Sequence, residues 1–186
     1  MTRLCALALF LFLILAGFYA PCAALAPALY AAPPAQAPSP TPDSRKAEAD
    51  RLMADGVAAF SNGDTEKALK EFTRALELYR IIGDQKGELG ALYGLGVVYR
   101  HMAQWSQALD HYQDALALAR ALADYKSEWQ ILSEMGLLFL NQARYDLALE
   151  YYQEAAGLAR EAGERAYEGE ALYTVALIHG ILAQYD

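Results

Sequence analysis

From Asp43 onward, apolar side chains recur at i, i+3, i+4 and i+7, the spacing of a helix buried along one side. In WSQALDHYQDALALARAL, the residues Trp105, Ala108, Leu109, Tyr112, Ala115, Leu116 and Ala119 form one stripe, with Asp110, Gln113, Asp114 and Arg120 opposite. The preceding ELGALYGLGVVYRHM reads as a second apolar helix, and a break near Ala103-Gln104 separates the two. Gly83, Ala123 and Gly163 are predicted to end helices, because each is followed by an acid, Asp84, Asp124 or Glu164, suited to opening the next. The prediction is therefore a train of short helices, each packing by its stripe.

The train copies itself. At an offset of 40 residues, Leu92, Gly96, Ala108, Tyr112, Ala115 and Arg120 recur as Leu132, Gly136, Ala148, Tyr152, Ala155 and Arg160. Forty residues earlier stand Gly56, Ala68, Phe72 and Ala75, and forty later Leu172, Ala176 and Tyr185. A fixed period of this size marks a stack of supersecondary units, none of which buries its apolar face alone. Repeats are expected at 49–88, 89–128 and 129–168, with 169–186 supplying the first helix of a fourth.

Gly96, Tyr99, Trp105, Ala108, Tyr112 and Ala115, with their counterparts one repeat later, resemble the tetratricopeptide repeat. That family places small residues where paired helices cross and aromatics between the crossings. The resemblance implies an all-α, right-handed superhelical solenoid of helix-turn-helix units over 45–186. Gly56, Gly96 and Gly136 are assigned to the first crossing, and Ala68, Ala108 and Ala148 to the second. Two features depart from the consensus: the closing proline is absent, and the period is 40 rather than about 34. The longer period resembles the subclass of kinesin light chains and G-protein-signalling modulators. ALELYRIIGD and ALDHYQDALALAR also resemble repeat arrays of exported bacterial proteins, some of which end in a caspase-like CHAT domain.

The N-terminal part reads differently. Leu4 to Ala20 carries no charge and follows Arg3, and small residues come after it, so residues 1–24 are expected to be a signal peptide or an N-terminal membrane anchor. All seven prolines fall between Pro21 and Pro42, which makes 25–44 an extended Pro/Ala-rich linker. Both cysteines, Cys5 and Cys22, lie in the leader, leaving the repeat region without a thiol. The expected localisation is exported: periplasmic, extracellular or tethered to the outer face of a membrane. Membrane contact is expected only through the N-terminal segment.

Charge and chemistry narrow the function. A net charge of −8 disfavours nucleic acid, whose phosphates need clustered cations. His101, His111 and His179 lack metal-ligand spacing, and His111 is expected on an exposed edge. No phosphate loop or nucleophile-base pairing is evident, Ser127 and Ser133 included, so neither a cofactor nor catalysis is implied. The expected role is a non-catalytic scaffold that binds a protein or peptide.

In the resembling family the first helix of each pair lines the concave face. Alignment to that pattern assigns Met53, Phe60, Tyr93, Val97, Arg100, Gln130, Leu137, Glu170 and Tyr173 to a peptide groove, with Asp50, Val57, Gly90, Ser133, Leu140 and Leu177 alongside. Val97, Leu137 and Leu177 also suit packing between neighbouring first helices. Met53, Val57, Gly94, Gln130 and Glu134 stand where a carboxylate clamp needs Lys, Asn and Arg, so capture of chaperone C-termini is disfavoured. Leu172, Tyr173, Val175, Leu177, Ile178, Ile181 and Leu182 encircle the last helix, whereas solenoids usually end in a polar cap. The alternatives are therefore self-association through that helix, or a regulatory arm of a longer enzyme such as a CHAT-like protease.

Overall fold

A computed structural model describes residues 41–184; the expected leader and most of the expected linker lie outside them. Seven helices follow one another: α1 (Pro42–Ser61), α2 (Thr65–Ile82), α3 (Gln85–His101), α4 (Trp105–Ala121), α5 (Tyr125–Asn141), α6 (Tyr145–Glu161) and α7 (Arg165–Leu182). Among the described residues there is no strand. Each helix packs on the next, and the first helices also meet across repeats, α1 on α3 and α3 on α5. The result is an all-α solenoid of helix pairs.

Turn chemistry sets the frame. The chain reverses through left-handed residues at Gly63, Gly83 and Gly163 and at Ala103, Ala123 and Ala143. Asp64, Asp84 and Asp124 then accept the amides of Lys67, Gly87 and Ser127 and so start α2, α3 and α5. Glu164 departs from the expectation: it precedes α7 but makes no side-chain cap bond, since glutamate is one methylene longer than the aspartate that fits there. One boundary differs. Helix α1 begins inside the expected 25–44 linker, because Thr41 accepts from the amide of Ser44 at 3.2 Å and Pro42 is tolerated in a first turn. The later pairs open at Gln85, Tyr125 and Arg165, directly after the three acids expected to open them.

The crossings are tight. Ala68, Ala108 and Ala148 are wholly buried. A methyl placed on Gly56, Gly96 or Gly136 would meet the ring of Phe72, Tyr112 or Tyr152 at 2.8, 2.5 or 2.7 Å. The second-helix aromatic thus lies against bare backbone of the first helix. Between repeats an ion pair recurs with the same period: Arg80 to Glu88 at 2.8 Å, Arg120 to Glu128 at 2.7 Å, Arg160 to Glu168 at 2.7 Å. It ties the end of each second helix to the start of the next first helix.

His111 is not on an exposed edge. It is half-buried with its ring stacked 5.3 Å from that of Tyr99, and burial lowers its pKa.

Candidate functional site

The first helices present two linked features. The first is an apolar recess of about 330 Å³ between α1 and α3. Met53, Val57 and Phe60 wall it from α1, Tyr93 and Val97 from α3, and Phe72 of α2 forms its floor. Gly90 and Gly94 complete the lining; with no side chains there, one side of α3 is open. One repeat later Gln130 and Glu134 occupy the same two positions. A second, more polar recess of about 310 Å³ lies between α3 and α5, with Gly90, Tyr93 and Gln130 in its lining.

The second feature is a polar cluster between α3 and α5. Gln130 Nε2 donates to the Tyr93 hydroxyl at 2.8 Å. The Tyr112 hydroxyl donates to Glu134 Oε2 at 3.3 Å, and Arg100 Nε lies 3.0 Å from the same oxygen in an ion pair. Burial and the Glu134 carboxylate raise the pKa of Tyr93 and Tyr112, and that of Tyr152 to about 12, so all three stay protonated phenols. Glu134 is the hub, drawing groups from α3 and α4 onto α5.

Of the sequence-derived groove residues, Met53, Phe60, Tyr93 and Val97 come together at the recess. Gln130 and Arg100 join the polar cluster instead, where Arg100 is occupied by Glu134 and only 15% exposed. Leu137 is half-buried on α5, while Glu170 and Tyr173 are exposed on α7. Sequence reasoning missed Phe72, a second-helix residue excluded by a first-helix template, although its partnership with Gly56 was legible from the repeat. It also missed the role of Glu134, whose partner Arg100 lies in the preceding repeat.

Among the described residues, no group of three or more His, Cys, Asp or Glu gathers to hold a metal, and no helix is long and apolar enough to cross a membrane. Ser127 Oγ donates to Asp124 Oδ2 at 2.8 Å within the α5 cap.

Residues 53–121 and 131–166 match tetratricopeptide repeat family models. Comparison with curated proteins finds no match. Among solved structures, aspartyl phosphate phosphatase F from Bacillus subtilis is similar at 20% identity and TM-score 0.71, covering 76% of this chain and 37% of that one. The tetratricopeptide repeat domain of Arabidopsis FLU is similar at 22% identity and TM-score 0.59, covering 64% and 98%. The Rap conjugation gene regulator of plasmid pLS20, solved in complex with the Phr* peptide, is similar at 18% identity and TM-score 0.55, covering 76% and 43%. These likenesses concern the fold, and this chain spans well under half the length of the first and third.

Proposed function

Because the chain belongs to the tetratricopeptide repeat family, we propose that the face built by its first helices binds a segment of another protein, with an apolar side chain of that segment seated between α1 and α3. Proteins of this family are generally non-catalytic scaffolds. The observation that carries the reading is the recess itself: an opening walled by Met53, Val57, Phe60 and Val97 next to the hydrogen-bonding groups of Tyr93 and Gln130. Concave, mostly apolar sites with a few placed polar groups are where proteins hold anchors of their partners. Peptide capture by the Rap regulator of similar fold supports the same reading.

The test fills the recess without disturbing the fold. A methyl on Gly90 meets only the end of Met53, at 3.5 Å, so Gly90→Leu fits the backbone and occupies the opening. Twelve-residue peptides selected from a random library on the native chain should carry Leu, Ile, Met or Phe. They should bind Gly90→Leu at least tenfold more weakly, about 1.4 kcal/mol. Selected peptides that bind both proteins equally would remove this assignment.

The charge-free run from Leu4 to Ala20 supports an exported location, with residues 1–24 as signal or anchor. A second reading, self-association, is favoured by α7, where Leu172, Tyr173 and Leu177 are 43%, 65% and 49% exposed. Its expected outcome is a mass that rises with concentration in light scattering and stays monomeric in Tyr173→Glu/Leu177→Glu; an invariant monomer contradicts it.

A further inference from the structure

The third junction of the array differs from the first two at one edge. Helix α2 ends on Ile82 and α4 is followed by Leu122, both half-buried against the core, whereas α6 is followed by the exposed Ala162. Ala159, like Ala119 at the second junction, stands where Tyr79 at the first junction lays its ring over Gly87. A recess of about 730 Å³ opens among the first turns of α5 and α7 and the last turn of α6.

Its walls have changed chemistry as well. Tyr125, Trp129 and Tyr167 line it, where the second junction has Gln85, Leu89 and Ser127 and the first has Arg45, Ala49 and Gly87. The Trp129 and Tyr167 rings stack 4.3 Å apart across α5 and α7, and Tyr125 is 58% exposed beside them. The indole N–H of Trp129 is buried with no acceptor among the described residues. Three carboxylates, Asp124, Glu161 and Glu164, face the single ammonium of Lys126 around the opening. Asp124 is engaged in capping α5, while Glu161 and Glu164 are exposed and in no ion pair among the described residues.

We propose that this recess is a second binding site, separate from the first-helix face, for a guanidinium group: an arginine side chain of a protein partner, or free arginine. A guanidinium is planar and weakly hydrated, stacks on aromatic faces and pairs with carboxylates through a fork of donors. The aromatic walls and the excess of carboxylates supply both halves of that recognition.

The experiment follows the Trp129 indole N–H by nuclear magnetic resonance, assigned against Trp105→Phe, during titration with four probes. They are Nα-acetyl-arginine amide, free arginine, the neutral isostere Nα-acetyl-citrulline amide, and Nα-acetyl-leucine amide. Saturable shifts are expected with the arginine compounds, at least tenfold weaker affinity with the citrulline compound, and tenfold loss in Glu161→Gln/Glu164→Gln. Tighter binding of the blocked arginine than of the free amino acid assigns the site to a peptide, and the reverse to the free metabolite; either order supports a guanidinium site. Equal binding of citrulline or leucine amide, no saturable shift up to tens of millimolar, or an unchanged affinity in the double glutamine variant would each overturn the proposal.

Discussion

At the residue scale the fold turns on glycines that do different jobs within one helix. Gly96 is required by close approach: an added methyl would stand 2.5 Å from the Tyr112 ring, and Tyr112 is wholly buried with no room to withdraw. At Gly90, six residues earlier on α3, an added methyl would make only an ordinary contact with the end of Met53 at 3.5 Å. Gly96→Ala should therefore destabilise the chain by about 1–3 kcal/mol through overpacking. Gly90→Ala should stabilise it by about 0.5–1 kcal/mol through helix propensity. Urea denaturation of the two variants checks this, and equal midpoints would contradict it. Gly96 was legible in the sequence because it keeps fixed spacing to Ala108 and Tyr112 in each repeat. Arg100 was not: as a groove position it reads as a free cation. Only the stacking of repeats shows that Glu134, on the next first helix, already holds it.

At the element scale, helix identity and number were legible from the apolar period and three starts from the acids that precede them, while the start of α1 at Pro42 was not, because it depends on one capping oxygen of Thr41. Asp84 and Asp124 do cap, and Glu164, of like charge, does not. The recurring Arg80–Glu88, Arg120–Glu128 and Arg160–Glu168 pairs join elements, but their arginines are about half exposed or more. Each is worth no more than about 1 kcal/mol, so burial decides which helix is secure. Helix α5 buries Ile131, Leu132, Met135, Gly136, Leu138 and Phe139, whereas α7 buries only Ala171 and Ile178. Native-state amide exchange should accordingly find α7 opening at a free energy about 2 kcal/mol or more below that of α5. Equal protection along both would mean that something covers α7 in solution.

At the scale of the whole molecule, the chain is a short stack whose faces are not equivalent. The resemblance marked the first-helix face, and four of its nine candidate residues do gather at one recess. The sequence template spread the groove evenly over every first helix. In the structure those four meet at the apolar recess between α1 and α3, where Gly90 and Gly94 stand at the positions taken by Gln130 and Glu134 one repeat on. The aromatic edge at the third junction was hidden for the opposite reason, since it lies beside a small residue, Ala162, that carries no signal of its own where Ile82 and Leu122 stand earlier. The most direct test of the account is an amide chemical-shift map of the native chain titrated with a selected peptide. The account predicts changes centred on Met53, Val57, Tyr93, Gly94 and Val97; changes confined to the outer turns of α2, α4 and α6 would contradict it.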